Sequence, residues 1–164
     1  MKKAVFTVLG ILFLSNSYAA SIEEASNVVK SYSKTVACAI TENLEYQKNQ
    51  YKAIEIDPGF EDMDGLSSKH LVFWEGDFGC NGGNGTVVPN FTLVEHAGHS
   101  SVPPIVRVNV NFPILDLVTV KKIEGKGGDI FIDGVTYGAN DHQHYPTKKV
   151  SYHIKYENEK FVLQ

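Results

Sequence analysis

The sequence predicts an α+β fold in which one N-terminal helix packs on a curled antiparallel sheet of about six to eight short strands. Three observations support this prediction. Apolar residues recur at three- and four-residue spacing only near the start of the chain, as on one face of a helix. After about residue 50, apolar and polar residues alternate, which is typical of strands with one buried face. Two cysteines, Cys38 and Cys80, predict one disulfide.

Residues 1–19 are predicted to be a cleaved signal peptide, and residues 20–164 a single globular domain. Two lysines precede an apolar run that ends at Leu14, and the small-residue pattern SYA follows at 17–19. The run is shorter than the roughly 20 residues of a membrane span. No cysteine follows the cleavage site, which argues against a lipid anchor. The short run after two lysines looks bacterial, so we expect the protein in the periplasm, or outside the cell.

The charge of the exported chain is more negative than that of the whole sequence. Residues 1–19 contain two lysines and no acidic residue, so residues 20–164 carry 13 basic and 19 acidic side chains, a formal charge of −6. No basic cluster remains, which argues against a nucleic-acid partner. An acidic surface suits either solubility or docking onto a basic protein.

The predicted helix starts at Ser21, which forms a capping box with Glu24. The apolar spacing extends it to about Ile40, so Cys38 is expected near its end. A disulfide from there to Cys80 would tether the helix and close about 40 residues, which contributes about 3–4 kcal/mol by restricting the unfolded chain. The buried stripe comprises Ile22, Ala25, Val29, Tyr32, Val36 and Ile40.

The predicted strands are short and separated by turns rich in Gly, Asn, Asp and Pro. The alternation is clearest in VRVNVNF, residues 106–112, and in VSYHIKY, residues 150–156. Each predicts an antiparallel strand with one exposed face. The remaining predicted strands are Tyr51–Ile56, Leu71–Trp74, Val87–Val94, Leu117–Ile123, Asp129–Ile132 and Phe161–Leu163.

The glycine-rich stretch GDFGCNGGNGT, residues 76–86, predicts a tight loop with positive φ angles. It lacks the lysine of a phosphate-binding loop, and a strand rather than a helix is expected after it, which argues against dinucleotide binding. No cofactor is therefore predicted. The five residues GCNGG resemble a segment of papain-like cysteine proteases, where that cysteine is usually a disulfide partner. The family's glycine-serine-cysteine-tryptophan run is absent, and the chain is too short for the two-lobed enzyme, so protease activity is rejected.

Two alternatives come from the titratable residues. His142 and His144, with Asp141 nearby, are candidate ligands for a metal ion or a small ligand, although no third metal ligand can be named. The acidic segment 57–64 does not follow the order of an EF-hand loop. A small hydrolase with dispersed acidic residues is the second alternative, since paired carboxylates need not be close in sequence.

The absence of any motif for an activated nucleophile favours a non-enzymatic function. We expect an exported protein that binds another protein, most simply an inhibitor or immunity protein that neutralises a toxin or cell-wall hydrolase. Aromatic residues on loops held by a disulfide are suited to anchor such a contact, and Phe78 is the predicted anchor. The predicted contact residues are Asp77, Phe78, Asn81, Asn84 and Tyr145.

Overall fold

The computed structural model describes the chain from residue 20 onward with short gaps. The described residues are 20–43, 45, 47–57, 67–83, 85–97, 102–142 and 145–164. The predicted signal peptide, residues 1–19, therefore lies outside the described residues. So do Asn84, His144 and most of the acidic segment after Asp57.

The described residues form one helix and nine strands, and the strands make up two antiparallel sheets. This confirms the predicted α+β class, with slightly more strands than expected and a second sheet. The elements are α1 (Ile22–Val36), β1 (Ala37–Ile40), β2 (Lys52–Asp57), β3 (Ser68–Phe78), β4 (Val88–His96), β5 (Ile105–Arg107), β6 (Thr119–Lys126), β7 (Asp129–Thr136), β8 (Lys148–Glu157) and β9 (Lys160–Leu163). In this part of the chain no helix has the length and apolar character needed to cross a membrane.

Helix α1 begins at the predicted capping box. The Ser21 hydroxyl accepts the Glu24 N–H at 3.1 Å, and the Glu24 carboxylate accepts the Ser21 N–H at 2.7 Å. These hydrogen bonds hold the pKa of Glu24 below its ordinary value. The helix ends at Val36, earlier than the apolar spacing predicted, because the following residues pair with β3 as strand β1. Cys38 therefore lies in a strand and not at the end of the helix.

The predicted disulfide is present and joins Cys38 to Cys80. Cys38 lies in β1, and Cys80 lies two residues after the end of β3. The two strands already run antiparallel here, with Ala37 opposite Phe78. The disulfide therefore crosslinks a sheet edge to the loop that follows β3, and the helix is connected to this crosslink through β1.

Strand β3 is the centre of the five-stranded sheet, called sheet A. β4 pairs along one side of β3, and β5 pairs with β4. The other side of β3 is shared end to end by β1, near its C-terminus, and by β2, along residues 69–73. Between those two strands the Gln50 side chain accepts the Glu75 N–H at 2.8 Å and donates to the Glu75 carbonyl at 3.2 Å. The amide of Gln50 therefore supplies the hydrogen bonds that a pairing strand would make.

Strands β6 to β9 form a four-stranded meander, called sheet B. The chain reaches it through residues 108–118, part of which the sequence wrongly predicted as a strand over 106–112. The observed strand β5 ends at Arg107, and Asn109 has a φ of 63°, which interrupts extended backbone. Phe112 then stacks on Phe91 with ring centroids 4.5 Å apart. The alternation of this segment therefore reflects side chains that pack on the core without strand pairing.

Sheet A is buried on both faces, so the fold has three layers: helix, sheet A and sheet B. Along β3, Leu71 and Phe73 face sheet B, whereas Val72 and Trp74 face the helix. This explains why β3 is buried almost continuously and contains the unbroken apolar run LVFW instead of an alternating pattern. The core between the sheets comprises Ile54, Ile56, Leu71, Phe73, Leu93, Val120, Ile123, Ile130, Ile132, Ile154 and Phe161. The core under the helix comprises Ala25, Val29, Ala53, Val72, Trp74 and Val94.

Candidate functional site

The loop that joins β3 to β4, residues 79–87, is called the glycine loop here, and Asp77 lies at its base. The Asp77 side chain is buried, and its two carboxylate oxygens accept the N–H groups of Asn81 at 3.1 Å and Gly82 at 3.2 Å. The Asn81 amide donates to the Phe78 carbonyl at 3.0 Å. Direct contact of Asp77 and Asn81 with a partner stays a prediction. The observed hydrogen bonds give both residues a part in holding the loop in one conformation.

Two further connections fix the start of the glycine loop, and a third joins the two strands at its base. Cys80 is bonded to β1 by the disulfide, and the Gly79 N–H donates to the Val36 carbonyl at 2.9 Å. On the β4 side, Asn90 donates to the Gly76 carbonyl at 3.0 Å. The loop backbone has the left-handed geometry that its glycines permit. Positive φ angles occur at Gly79, Cys80, Gly82, Gly83 and Gly85.

Phe78 is exposed beside the glycine loop, with 47% of its surface accessible. Its ring lies edge-on to that of Trp74, with centroids 6.3 Å apart. Trp74 is buried, and its indole N–H donates to the Thr92 hydroxyl at 2.9 Å. Phe78 and Trp74 line a recess of about 270 Å³ together with Tyr32 of α1 and Asn90 of β4, called the helix-side recess. An exposed ring supported by a buried ring gives this recess a fixed apolar rim.

A second opening lies on the sheet B side of the glycine loop. This inter-sheet cleft has a volume of about 500 Å³, and no Lys, Arg or His is among the described residues that line it. Glu75 lines the cleft with only 4% of its surface exposed, and its Oε2 accepts a hydrogen bond from the Gln47 side chain at 3.3 Å. The walls carry both polar and apolar side chains. The apolar ones are Val87, Val88, Leu117, Val118, Tyr137 and Pro146.

The connection between β7 and β8, residues 137–147, carries the predicted contact residue Tyr145. Asp141 holds this connection by accepting the Gly138 N–H at 2.7 Å and the Thr147 N–H at 2.6 Å. These hydrogen bonds lower the pKa of Asp141. Tyr145 is 73% exposed and lines a depression of about 410 Å³, which shares Pro146 with the inter-sheet cleft. The structure therefore brings Tyr145 to the same end of the molecule as the glycine loop.

The histidines give no metal centre within the described residues. No three His, Cys, Asp or Glu side chains of that part of the chain are grouped to hold an ion. His142 is exposed, and its predicted companion His144 lies outside the described residues. His70 of β3 is buried, and its Nδ1 has no hydrogen-bond partner in the described structure. Burial lowers the pKa of His70, and the negative charge of Glu55 opposes this effect.

Glu75, Gln47 and Gln50 were missed as site residues by sequence reasoning. The one local signal was an acidic residue directly after the apolar run LVFW, which suggests a charge inside a buried strand. Gln47 and Gln50 precede β2 and reach Glu75 only through the pairing of β2 with β3.

Comparison of the chain with known protein families, with characterised proteins and with solved structures gave no significant match.

Proposed function

We propose that this is an exported, non-enzymatic bacterial protein that binds another protein through the end of the molecule formed by the glycine loop and residues 137–147. The simplest such role is that of an inhibitor or immunity protein that neutralises a toxin or a cell-wall hydrolase. One observation carries the proposal: large apolar side chains are exposed together at this end, on or beside loops held by hydrogen bonds and a disulfide. These side chains are Phe78, Val87, Val88, Tyr137 and Tyr145.

The rigidity of the glycine loop supports this function. A loop that is already ordered loses little conformational entropy on binding, so more of its contact energy contributes to affinity. Asp77 and the disulfide fix the first half of the loop, and Asn90 joins the two strands at its base. Phe78 is then presented as an aromatic anchor at the rim of the helix-side recess. Buried aromatic anchors dominate the energy of many protein interfaces.

The net charge indicates the kind of partner. Residues 20–164 carry a formal charge of −6, which attracts a basic protein and increases its rate of association. A toxin that acts on nucleic acid, or a hydrolase that acts on an anionic cell wall, needs a basic surface for its own substrate. An acidic protein with a rigid protruding loop is suited to cover such a surface.

Export is supported by the N-terminal pattern of residues 1–19 and by the disulfide. Disulfides persist mainly in oxidising compartments such as the bacterial periplasm. The Cys38–Cys80 bond connects residues that are 42 positions apart, so it is part of the folded architecture. Its presence agrees with a protein that folds after leaving the cytoplasm.

The proposal is tested by capturing the partner and measuring its affinity. Wild-type protein, Phe78→Ala and Phe131→Ala would be immobilised and exposed to periplasmic extract of the producing organism. Phe131 is the matched control because it is 45% exposed but stacks on His153 in sheet B, away from the glycine loop. The captured protein would be identified, purified and titrated calorimetrically.

We expect the partner to be an enzyme or toxin whose activity the wild-type protein inhibits at equimolar ratio. Phe78→Ala should weaken binding by about 30-fold or more, as for an interface anchor worth at least about 2 kcal/mol. Phe131→Ala should leave the affinity within about twofold, as for a residue outside the interface. Equal binding by wild type and Phe78→Ala, or a partner whose activity is unaffected, would overturn the proposal.

A further inference from the structure

The carboxylate of Glu75 is held at a fixed position in the wall of the inter-sheet cleft. Its backbone makes hydrogen bonds on both sides of the peptide: the N–H donates to Gln50, and the carbonyl accepts from Gln50 and from the Thr41 N–H at 3.1 Å. The next residue, Gly76, has no room for a Cβ, which would lie 2.6 Å from the Trp74 ring. The backbone of β3 is therefore packed directly against the Trp74 ring at this point.

The side chain of Glu75 is fixed as well as its backbone. Gln47, which is 1% exposed, donates from Nε2 to the Glu75 Oε2 at 3.3 Å and accepts the Asn49 N–H on Oε1 at 3.2 Å. Asn49 in turn donates to the carbonyls of Val120 and Lys121 in β6. The carboxylate is thus positioned by a chain of amide contacts that extends from sheet A to sheet B.

This carboxylate has no cationic partner among the described residues. None of the ion pairs in that part of the chain involves Glu75, and the residues placed around the cleft include no basic side chain. A buried carboxylate is costly unless it is paired or fully hydrogen-bonded, because burial removes most of its hydration. Such a group in the wall of an open cleft is a ready counter-ion for a cation that enters from outside.

We propose that the inter-sheet cleft binds an ammonium or guanidinium group carried on a short aliphatic stem, with Glu75 as its ionic partner. The apolar walls formed by Val87, Val88 and Leu117 suit the methylene groups of the stem. This chemistry is supplied either by a lysine or arginine side chain of a partner protein or by a free aliphatic amine. The assignment depends on the cleft alone and holds whatever the glycine loop binds.

The test uses small probes and nuclear magnetic resonance. Wild-type, isotopically labelled protein would be titrated with n-butylammonium and n-butylguanidinium chloride at neutral pH and low salt, with n-butanol as the uncharged control. We expect both cations to cause saturable shifts of the amide signals of Glu75, Val87 and Val88. Butanol should cause much smaller shifts, because the apolar walls alone do not supply the ionic contact.

Two variants separate the ionic contact from general attraction to an acidic protein. Glu75→Gln should weaken binding of both cations at least about tenfold, because one partner of a buried charge pair is lost. Glu45→Gln is the matched control: this exposed residue lines the neighbouring depression, so its loss should change affinity by less than about twofold. If Glu75→Gln does not fold, Val88→Lys provides the second test. It places an ammonium group of the chain itself at the cleft and should also prevent cation binding.

Two further probes distinguish the sources of the cation. Lysine and arginine capped at both ends by amides imitate a side chain on a polypeptide. If they bind with affinities like those of the free cations, the natural ligand is a lysine or arginine side chain of a partner protein. Binding of the free cations alone indicates a small amine as the natural ligand. The assignment would be overturned by the absence of saturable shifts with either cation, by equal affinity in Glu75→Gln, or by butanol binding as tightly as butylammonium. None of these results would bear on capture of a protein through Phe78.

Discussion

Replacing both cysteines by alanine should lower the free energy of unfolding by about 4 kcal/mol. The Cys38–Cys80 bond spans a sequence separation of 42 residues, and restricting an unfolded chain over such a loop is worth about 4 kcal/mol at 25 °C. The native contacts around the bond are made by other atoms: the Gly79 N–H donates to the Val36 carbonyl, and β1 pairs with β3. We therefore expect the Cys38→Ala/Cys80→Ala variant to fold. Its stability should fall because the unfolded chain gains conformational entropy when the bond is absent.

This effect can be measured by urea unfolding at 25 °C. The fluorescence of Trp74 reports on unfolding, because Trp74 is buried and is the one tryptophan of the sequence. For a slope of about 2 kcal/mol per molar urea, the midpoint should fall by about 2 M. Reduced wild-type protein is the control and should show the same shift. A loss below about 1 kcal/mol would refute the entropic reasoning. A normal midpoint for the reduced wild type would show that the substitutions, and not the missing bond, cause the loss.

Two other predictions concern buried positions. Burial lowers the pKa of His70 below 6.5, so the unfolded chain binds its proton at a higher pH than the folded chain. The free energy of unfolding should therefore fall as the pH drops from about 6.5 through the folded pKa. Urea unfolding at several pH values should show a smaller fall in His70→Gln than in the wild type, and an unchanged fall in the exposed control His142→Gln. The same fall in wild type and His70→Gln would contradict this prediction. Gly134→Ala should lower the free energy of unfolding by about 2 kcal/mol or more, because the new Cβ would overlap the Thr119 carbonyl. Gly127→Ala should lower it by only about 1 kcal/mol, because Gly127 has a φ of 58° but its Cβ would meet no neighbouring atom. Similar losses in thermal unfolding of the two alanine variants would show that overlap at position 134 is relieved by backbone movement.

The parts of the fold that depend on local patterns could be predicted from the sequence. The capping box at Ser21 and Glu24 marks the observed start of α1, because its hydrogen bonds join residues only three positions apart. The alternation over residues 150–156 falls within β8, which has one face on the core and one in solvent. Pairing of Cys38 with Cys80 followed from there being only two cysteines in a chain with a predicted export signal.

The errors arose where tertiary contacts overrule local pattern. Ile40 continues the helical spacing, but residues 37–40 pair with β3, whose edge is otherwise unpaired at this point. The segment 106–112 alternates like a strand, but positive φ at Asn109 takes the chain across the core to sheet B. Periodicity indicates how a segment is buried and does not identify the element that buries it. For the same reason it could not show that the strands divide into two sheets.

The candidate site likewise has one part that could be predicted from local sequence and one part that could not. The glycine loop and the exposure of Phe78 follow from local composition, since glycines favour turns and a ring beside them has little to pack against. Glu75 is different, because its importance depends on Gln47 and Gln50, which lie 28 and 25 residues away in sequence. A residue whose carboxylate is held by Gln47 and whose backbone is held by Gln50 has no signature in the sequence around it.

The burial of both faces of sheet A has a consequence for how this protein can evolve. The central strands of sheet A are covered by the helix on one side and by sheet B on the other, which leaves little free face for a binding surface. New specificity must therefore come from the loops at its ends, above all the β3–β4 and β7–β8 connections. These loops can change in length and sequence while the two cores stay constant. The fold thus separates the loops that are free to vary from the residues that maintain stability.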